Sequence, residues 1–283
     1  MNKESIEHTQ TLCLLSNGIS LDTKICRYMD FDYFLQILEG HFYIPRKQRF
    51  FDLRESGEIP QHLRFVPGIV SGGVTEPKEI LTKRQEDRNK YVEDLVVSKY
   101  LLTSCWTIDN GEDYLMWKGY TNKIGVCICT TIGQLIAAIN WGEGDYITVC
   151  SNMKYERIFT HDDFGESMFN KEPYYKSENE VRFYVVHGGR YSNEELWDMQ
   201  NKDIGEFLLN AAKMEESLYK KDPINIAMYK IFTIKPTFIN SIILSPMILR
   251  ASIEPFKKLL MGKYSVIFKK ENMIQCSKIS INS

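Results

Sequence analysis

The amino-acid order predicts an α+β fold, a mixed sheet core with peripheral helices. Three observations carry that expectation. Short β-branched and alternating apolar segments are interleaved with short helical stretches, without the regular strand–helix–strand alternation of a doubly wound fold. Apolar residues make up 43% of the 283 and charged residues 25%, a balance that builds a core rather than a disordered chain. No segment repeats, and only 56–82 has the composition of a linker. Residues 23–283 therefore read as a single α+β domain behind a loose, polar N-terminal lead-in at 1–22.

Along the chain, Ile25 to Met29 reads as a strand, and Asp30 caps a helix that runs through Leu38 to Gly40. That helix is too short to persist alone, so Phe34, Leu35 and Leu38 must pack. His41 to Ile44 returns as a strand that Pro45 stops. Residues 53–82, rich in Gly and Pro, read as a long irregular loop. A charged helix follows from about Lys83, with Tyr91, Val92, Leu95 and Val96 on its inner side. Next come a strand at 102–106, a short helix opened by Asp113, a strand at 124–130, a helix at 132–141 and a strand at 146–150. After a polar, aromatic stretch at 153–177, Glu180 to His187 alternates as a strand that Gly188-Gly189 ends. Ser192 and Glu195 form a capping-box pattern ahead of a helical region reaching Lys221. Strands at about 228–234 and 239–244, a helix at 252–261, and strands at 264–269 and 276–281 complete the expected order.

Lys plus Arg total 35 against 37 Asp plus Glu, so no global field draws in nucleic acid. Seven cysteines, an odd number in a chain this long, point to reduced thiols and a cytoplasmic setting. No apolar run is long enough to span a bilayer, so no membrane association is expected. P-loop, glycine-rich dinucleotide and nucleophile-elbow patterns are absent. No metal is expected. Cys127 and Cys129 face the same way on one strand, but without a second pair of ligands they read as buried thiols.

Three segments stand out as candidate site. Arg27-Tyr28 ends an early strand, where a guanidinium fork suits a phosphate or carboxylate; the plainer role is a surface salt bridge. Thr103-Ser104-Cys105-Trp106 and Leu115-Met116-Trp117-Lys118-Gly119-Tyr120 gather hydroxyls and rings. Trp117 and Tyr120 can wall a pocket for a flat ligand, or belong to an aromatic core. In Glu178-Asn179-Glu180-Val181-Arg182-Phe183-Tyr184, alternation puts Glu178, Glu180, Arg182 and Tyr184 on one strand face, with Val181 and Phe183 buried behind. Two carboxylates side by side suit acid–base work and imply one raised pKa; the alternative is a solvated face laced by Arg182.

Taken in order, these segments resemble a widespread bacterial family of unknown function. The carriers are Arg27-Tyr28, Phe42-Tyr43-Ile44-Pro45, the Phe51-Asp52-Leu53-Arg54-Glu55 stretch, Leu115-Met116-Trp117 with Tyr120, and Gly125-Val126-Cys127-Ile128. Lys171, Tyr175 and the Glu178, Glu180, Arg182 motif follow, then Ile242-Ile243-Leu244-Ser245-Pro246. The family's usual Asn-Asp-Pro is replaced by Phe51-Asp52-Leu53, and Lys118-Gly119 stands where Ser-His is common. The family implies no settled activity. The order of Arg27, Ser104 and the acidic pair is also similar to the ADP-ribosyltransferase pattern. That similarity implies NAD as substrate, held by Arg27 and Ser104. Glu180 would steady the cationic ribose as nicotinamide leaves, Glu178 would face the target, and Tyr120 would stack the ring. A protein or nucleic acid would be the acceptor, and such chemistry suits a bacterial or phage defence protein or toxin. The competing expectation is a non-enzymatic sensor that binds a nucleotide or other small ligand in an aromatic pocket.

Overall fold

The computed structural model describes residues 13–16, 18–50, 78–109, 111–122, 124–142, 146–156, 168–187, 204–222 and 228–279. Much of the expected 53–82 loop, the Phe51–Glu55 motif, Gly188-Gly189 and the Ser192/Glu195 capping pattern lie outside the described residues.

Strands β1 (Cys13–Leu15), β2 (Lys24–Asp30), β4 (Leu102–Ile108), β5 (Gly125–Thr131), β7 (Tyr146–Asn152), β8 (Glu180–His187), β10 (Ser241–Leu244) and β11 (Ile274–Cys276) form one sheet, in the order β1-β7-β8-β4-β2-β5-β10-β11. A second sheet takes β3 (His41–Pro45), β9 (Tyr229–Ile234) and β6 (Ile139–Asn140), in the order β3-β9-β6. The pairings are antiparallel except β1 with β7 and β10 with β11, so the large sheet is mixed and the fold is α+β as expected. Among the described residues six α-helices surround the sheets: α1 (Phe31–Leu38), α2 (Lys78–Ser98), α3 (Tyr114–Tyr120), α4 (Ile132–Ala138), α5 (Ile204–Lys221) and α6 (Arg250–Lys263). Among the described residues, no helix is long and apolar enough to cross a membrane.

Alternation explains the main core. Ile25, Met29, Trp106, Val126, Ile128, Val181, Phe183 and Val185 point from the large sheet towards Phe42, Ile44, Phe232 and Ile234 of the small one, with Phe34 and Ile37 of α1 between them. A second core lies on the other face of β7 and β8. There Phe207, Leu208, Ala211 and Ala212 of α5 cover Val149, Tyr184 and Val186.

Several elements depart from expectation. The lead-in is not wholly loose: Cys13–Leu15 pairs in parallel with β7 and buries Leu14 and Leu15. α2 begins at Lys78, inside the stretch expected to be loop. The expected helix 132–141 stops at Ala138, because Ile139 and Asn140 turn to pair with β9. The strand expected at 264–269 does not form. Tyr264 and Phe268 instead sit in turns after α6, where both rings are buried and the Tyr264 hydroxyl donates to Glu39 Oε1 at 2.6 Å. The last strand among the described residues is Ile274–Cys276, which meets the expected 276–281 only at Cys276; 280–281 lie outside the described residues.

The largest departure decides the site. β8 was expected to turn Glu180, Arg182 and Tyr184 to solvent or to an open site, yet Glu180 to Val186 are all buried. β8 is an interior strand between β7 and β4, with a core on each face.

Candidate functional site

The site arises where the large sheet splits. β2 follows β5 for seven residues, Lys24 to Asp30, but pairs with β4 only at Ile25–Ile108 and Cys26–Thr107. Beyond Cys26 the two strands part. The gap opens into a cavity of about 510 Å³, a size suited to a nucleotide or similar small molecule. Because the strands diverge there, residues from both faces of the sheet reach the same hollow.

One end is basic. Arg27 lines the cavity and donates from Nη1 to Ser104 Oγ at 3.2 Å across the gap. Phe42 and Trp106 lie 5.8 Å from its guanidinium carbon. Among the described residues, Arg27 meets no carboxylate, and burial pushes its pKa below the usual arginine value. Arg49 stands at the rim and donates from Nη1 to the Tyr43 hydroxyl at 2.9 Å. Tyr33 and Tyr43, with ring centroids 6.2 Å apart, add an aromatic wall beside it.

The other end is acidic but neutralised. Glu180 is fully enclosed. Its Oε1 accepts from Arg182 Nε at 2.7 Å, and its Oε2 accepts from Lys171 Nζ at 3.0 Å and Arg182 Nη2 at 3.2 Å. Its backbone N–H donates to the Tyr155 hydroxyl at 2.6 Å. Lys171 also donates to Glu178 Oε2 at 2.6 Å and lies 4.4 Å from the centre of the Tyr175 ring. Glu178 Oε1 accepts from the Tyr120 hydroxyl at 2.8 Å.

Burial alone would raise the Glu180 pKa, but the Arg182 and Lys171 charges and the Arg182 hydrogen bonds overcome it and hold the carboxyl down to about 2. The raised pKa expected of one member of the acidic pair is thus not found at Glu180. Lys171 stands between the two carboxylates and removes their repulsion.

The sequence-derived candidates divide cleanly. Arg27, Tyr28, Tyr120, Glu178 and Glu180 line the cavity. Ser104 does not; its side chain lies on the Trp106 face of β4, where it accepts from both Arg27 and Trp106 Nε1 (3.1 Å) and fixes the guanidinium. Arg182 does not either. It is enclosed beneath Glu180, 5.8 Å from the Phe50 ring, and acts by positioning that carboxylate. Trp117 is wholly buried under Tyr28, edge-on at 4.8 Å, with its Nε1 donating to Glu112 Oε2 at 3.3 Å. It is core, not a stacking platform, because the inner face of α3 packs onto the sheet. Met116 and the half-exposed Tyr120 of that helix reach the cavity instead.

Lys171, Arg49, Tyr33 and Tyr43 were not singled out as site residues from sequence. Lys171 carried a signal, as the Lys that precedes Tyr175 and the Glu178/Glu180 pair, and Tyr43 did as part of the Phe42–Pro45 stretch. No family model, curated protein or solved structure matches the chain.

Proposed function

We propose that the cleft binds an anionic nucleotide, with NAD the best fit, and that the chain is an ADP-ribosyltransferase-like or other NAD-consuming enzyme. The observation that carries this reading is Arg27, a cation held in a cavity wall with no acid to pair it among the described residues. Even half-enclosed, a charge without a partner carries a desolvation cost, which an incoming phosphate would offset through a charge-assisted fork. Arg49 extends the basic end towards the mouth, and the Tyr33–Tyr43 wall offers a face for a base.

At the far end, Glu178 and Glu180 border the same hollow. In the proposed reaction the ribose C1′–nitrogen bond breaks and its electron pair leaves with nicotinamide. An ionised carboxylate stabilises the cationic ribose, and the acceptor, a protein, nucleic acid or water, then bonds to C1′ and gives up its proton. Glu180 stays ionised at neutral pH, and Glu178 is the less enclosed of the two. A defence or toxin setting would suit this chemistry, and the resemblance to the bacterial family is part of the same proposal.

A second reading is favoured by one observation: both Glu180 oxygens already accept from Lys171 and Arg182. A carboxylate so neutralised suits a rigid binding wall, and thus a nucleotide sensor, more than a catalytic one.

The test is nicotinamide release from NAD by purified protein, with and without protein and nucleic-acid acceptors, run alongside calorimetric titration. Turnover that Glu178→Gln abolishes, with NAD affinity kept, supports the enzyme. Tight nucleotide binding without turnover by the wild type selects the sensor. Neither binding nor turnover removes both readings.

A further inference from the structure

We propose that Cys26, Cys127 and Cys129 form a binding site for a soft closed-shell metal ion, Zn²⁺ or Cu⁺, directly behind the cleft wall. Cys127 and Cys129 share one face of β5 by the two-residue strand period, and the β2–β5 register sets Cys26 opposite Cys129. The three Sγ atoms lie within 4.8 Å of one another, and Cys26 and Cys129 meet at 2.8 Å. That contact is far longer than a disulfide bond of roughly 2.05 Å, so these are separate thiols.

A metal–sulfur distance of about 2.3 Å implies sulfurs about 3.8 Å apart, so the closest pair needs to open by only about 1 Å. The setting is soft as well as compact. Tyr28 and Trp117 enclose the group, and Met116 packs against it with a thioether. Among the described residues, no carboxylate or imidazole joins the trio, which disfavours hard, oxygen-seeking ions. Cys26 and Met116 also line the cleft, so a bound ion would brace β2 beside Arg27. The proposal stands independently of the nucleotide reading.

The test uses the full chain, reduced without oxygen and stripped by chelation, then titrated with Co²⁺ as a probe for Zn²⁺ and separately with Cu⁺. We expect saturation at one ion per chain, a thiolate-to-cobalt charge-transfer band, and displacement by whichever natural ion the site prefers. Cys127→Ser should weaken binding at least about tenfold, while Cys105→Ser and Cys276→Ser should bind as wild type. Near-ultraviolet circular dichroism of the metal-free variants checks the fold. Should Cys127→Ser fail to fold, alkylation of the wild type before and after loading decides: protection that these three thiols alone among the seven gain on loading supports the site. No charge-transfer band, uptake that survives in a Cys26→Ser/Cys127→Ser double variant, or no thiol protection overturns it.

Discussion

Replacing Arg27 by Met separates what the cleft does from what the fold needs. Among the described residues the guanidinium has one hydrogen bond, to Ser104 Oγ, and two aromatic rings at 5.8 Å. Losing the hydrogen bond costs about 1 kcal/mol, and each ring contact about 0.5–1 kcal/mol. Ser104 is not orphaned, since Trp106 Nε1 still donates to it at 3.1 Å. Against these losses stands relief from half-enclosing an unpaired cation; even fully buried ion pairs replaced by well-packed apolar groups leave proteins equally stable or about 1–4 kcal/mol more so. The expected outcome is an empty protein as stable as wild type or up to about 2 kcal/mol better, with Tm rising about 2–4 °C per kcal/mol for a chain of this size. Affinity moves the other way. A lost charge-assisted phosphate contact of about 1.5–3 kcal/mol weakens Kd roughly 10- to 150-fold. Thermal unfolding without ligand and calorimetric titration with NAD and ADP-ribose read the two effects separately. A variant that is less stable by several kcal/mol yet binds as wild type would refute the reasoning, for Arg27 would then be a strut.

Three further outcomes follow from the same geometry. The Glu180 carboxyl is held near 2, against an ordinary value of 4.5, so its contribution to stability is complete above about pH 4.5 and is lost as pH falls towards 2. Glu180→Gln, which leaves Arg182 and Lys171 without their shared partner, should cost about 3–5 kcal/mol at neutral pH, and urea unfolding should show that gap narrowing by pH 3; an unchanged gap contradicts the assignment. Trp117→Ala removes a fully buried ring and should cost about 3–5 kcal/mol, so loss of ligand binding at undiminished Tm would reinstate Trp117 as a contact residue. Thr148 is buried with no hydrogen-bond partner for its hydroxyl among the described residues; Thr148→Val should raise stability by about 1 kcal/mol, and a loss in chemical denaturation would reveal a hidden partner.

What the sequence determined by itself was local. The two-residue period put Val181, Phe183 and Val185 on a core face and Glu180 with Arg182 on the other, and Asp113 caps α3 as read, whereas the Asp30 carboxylate holds Asn122 and makes no cap bond to α1. It also marked Arg27, Tyr120 and the Glu178/Glu180 pair, which do border one cavity. Periodicity says which residues share a face, not what will cover it. Whether the acidic face of β8 met solvent depended on β8 taking an interior place in the sheet, with Lys171 arriving from nine residues upstream. Whether Trp117 stacked on a ligand or on Tyr28 depended on how α3 lay against β2. The cavity exists because β2 and β4 stop pairing after Cys26, and the thiol trio exists because the β2–β5 register sets Cys26 against a residue 103 positions away. Register between distant strands is fixed by the sum of many weak side-chain contacts, and no single stretch of sequence carries that sum.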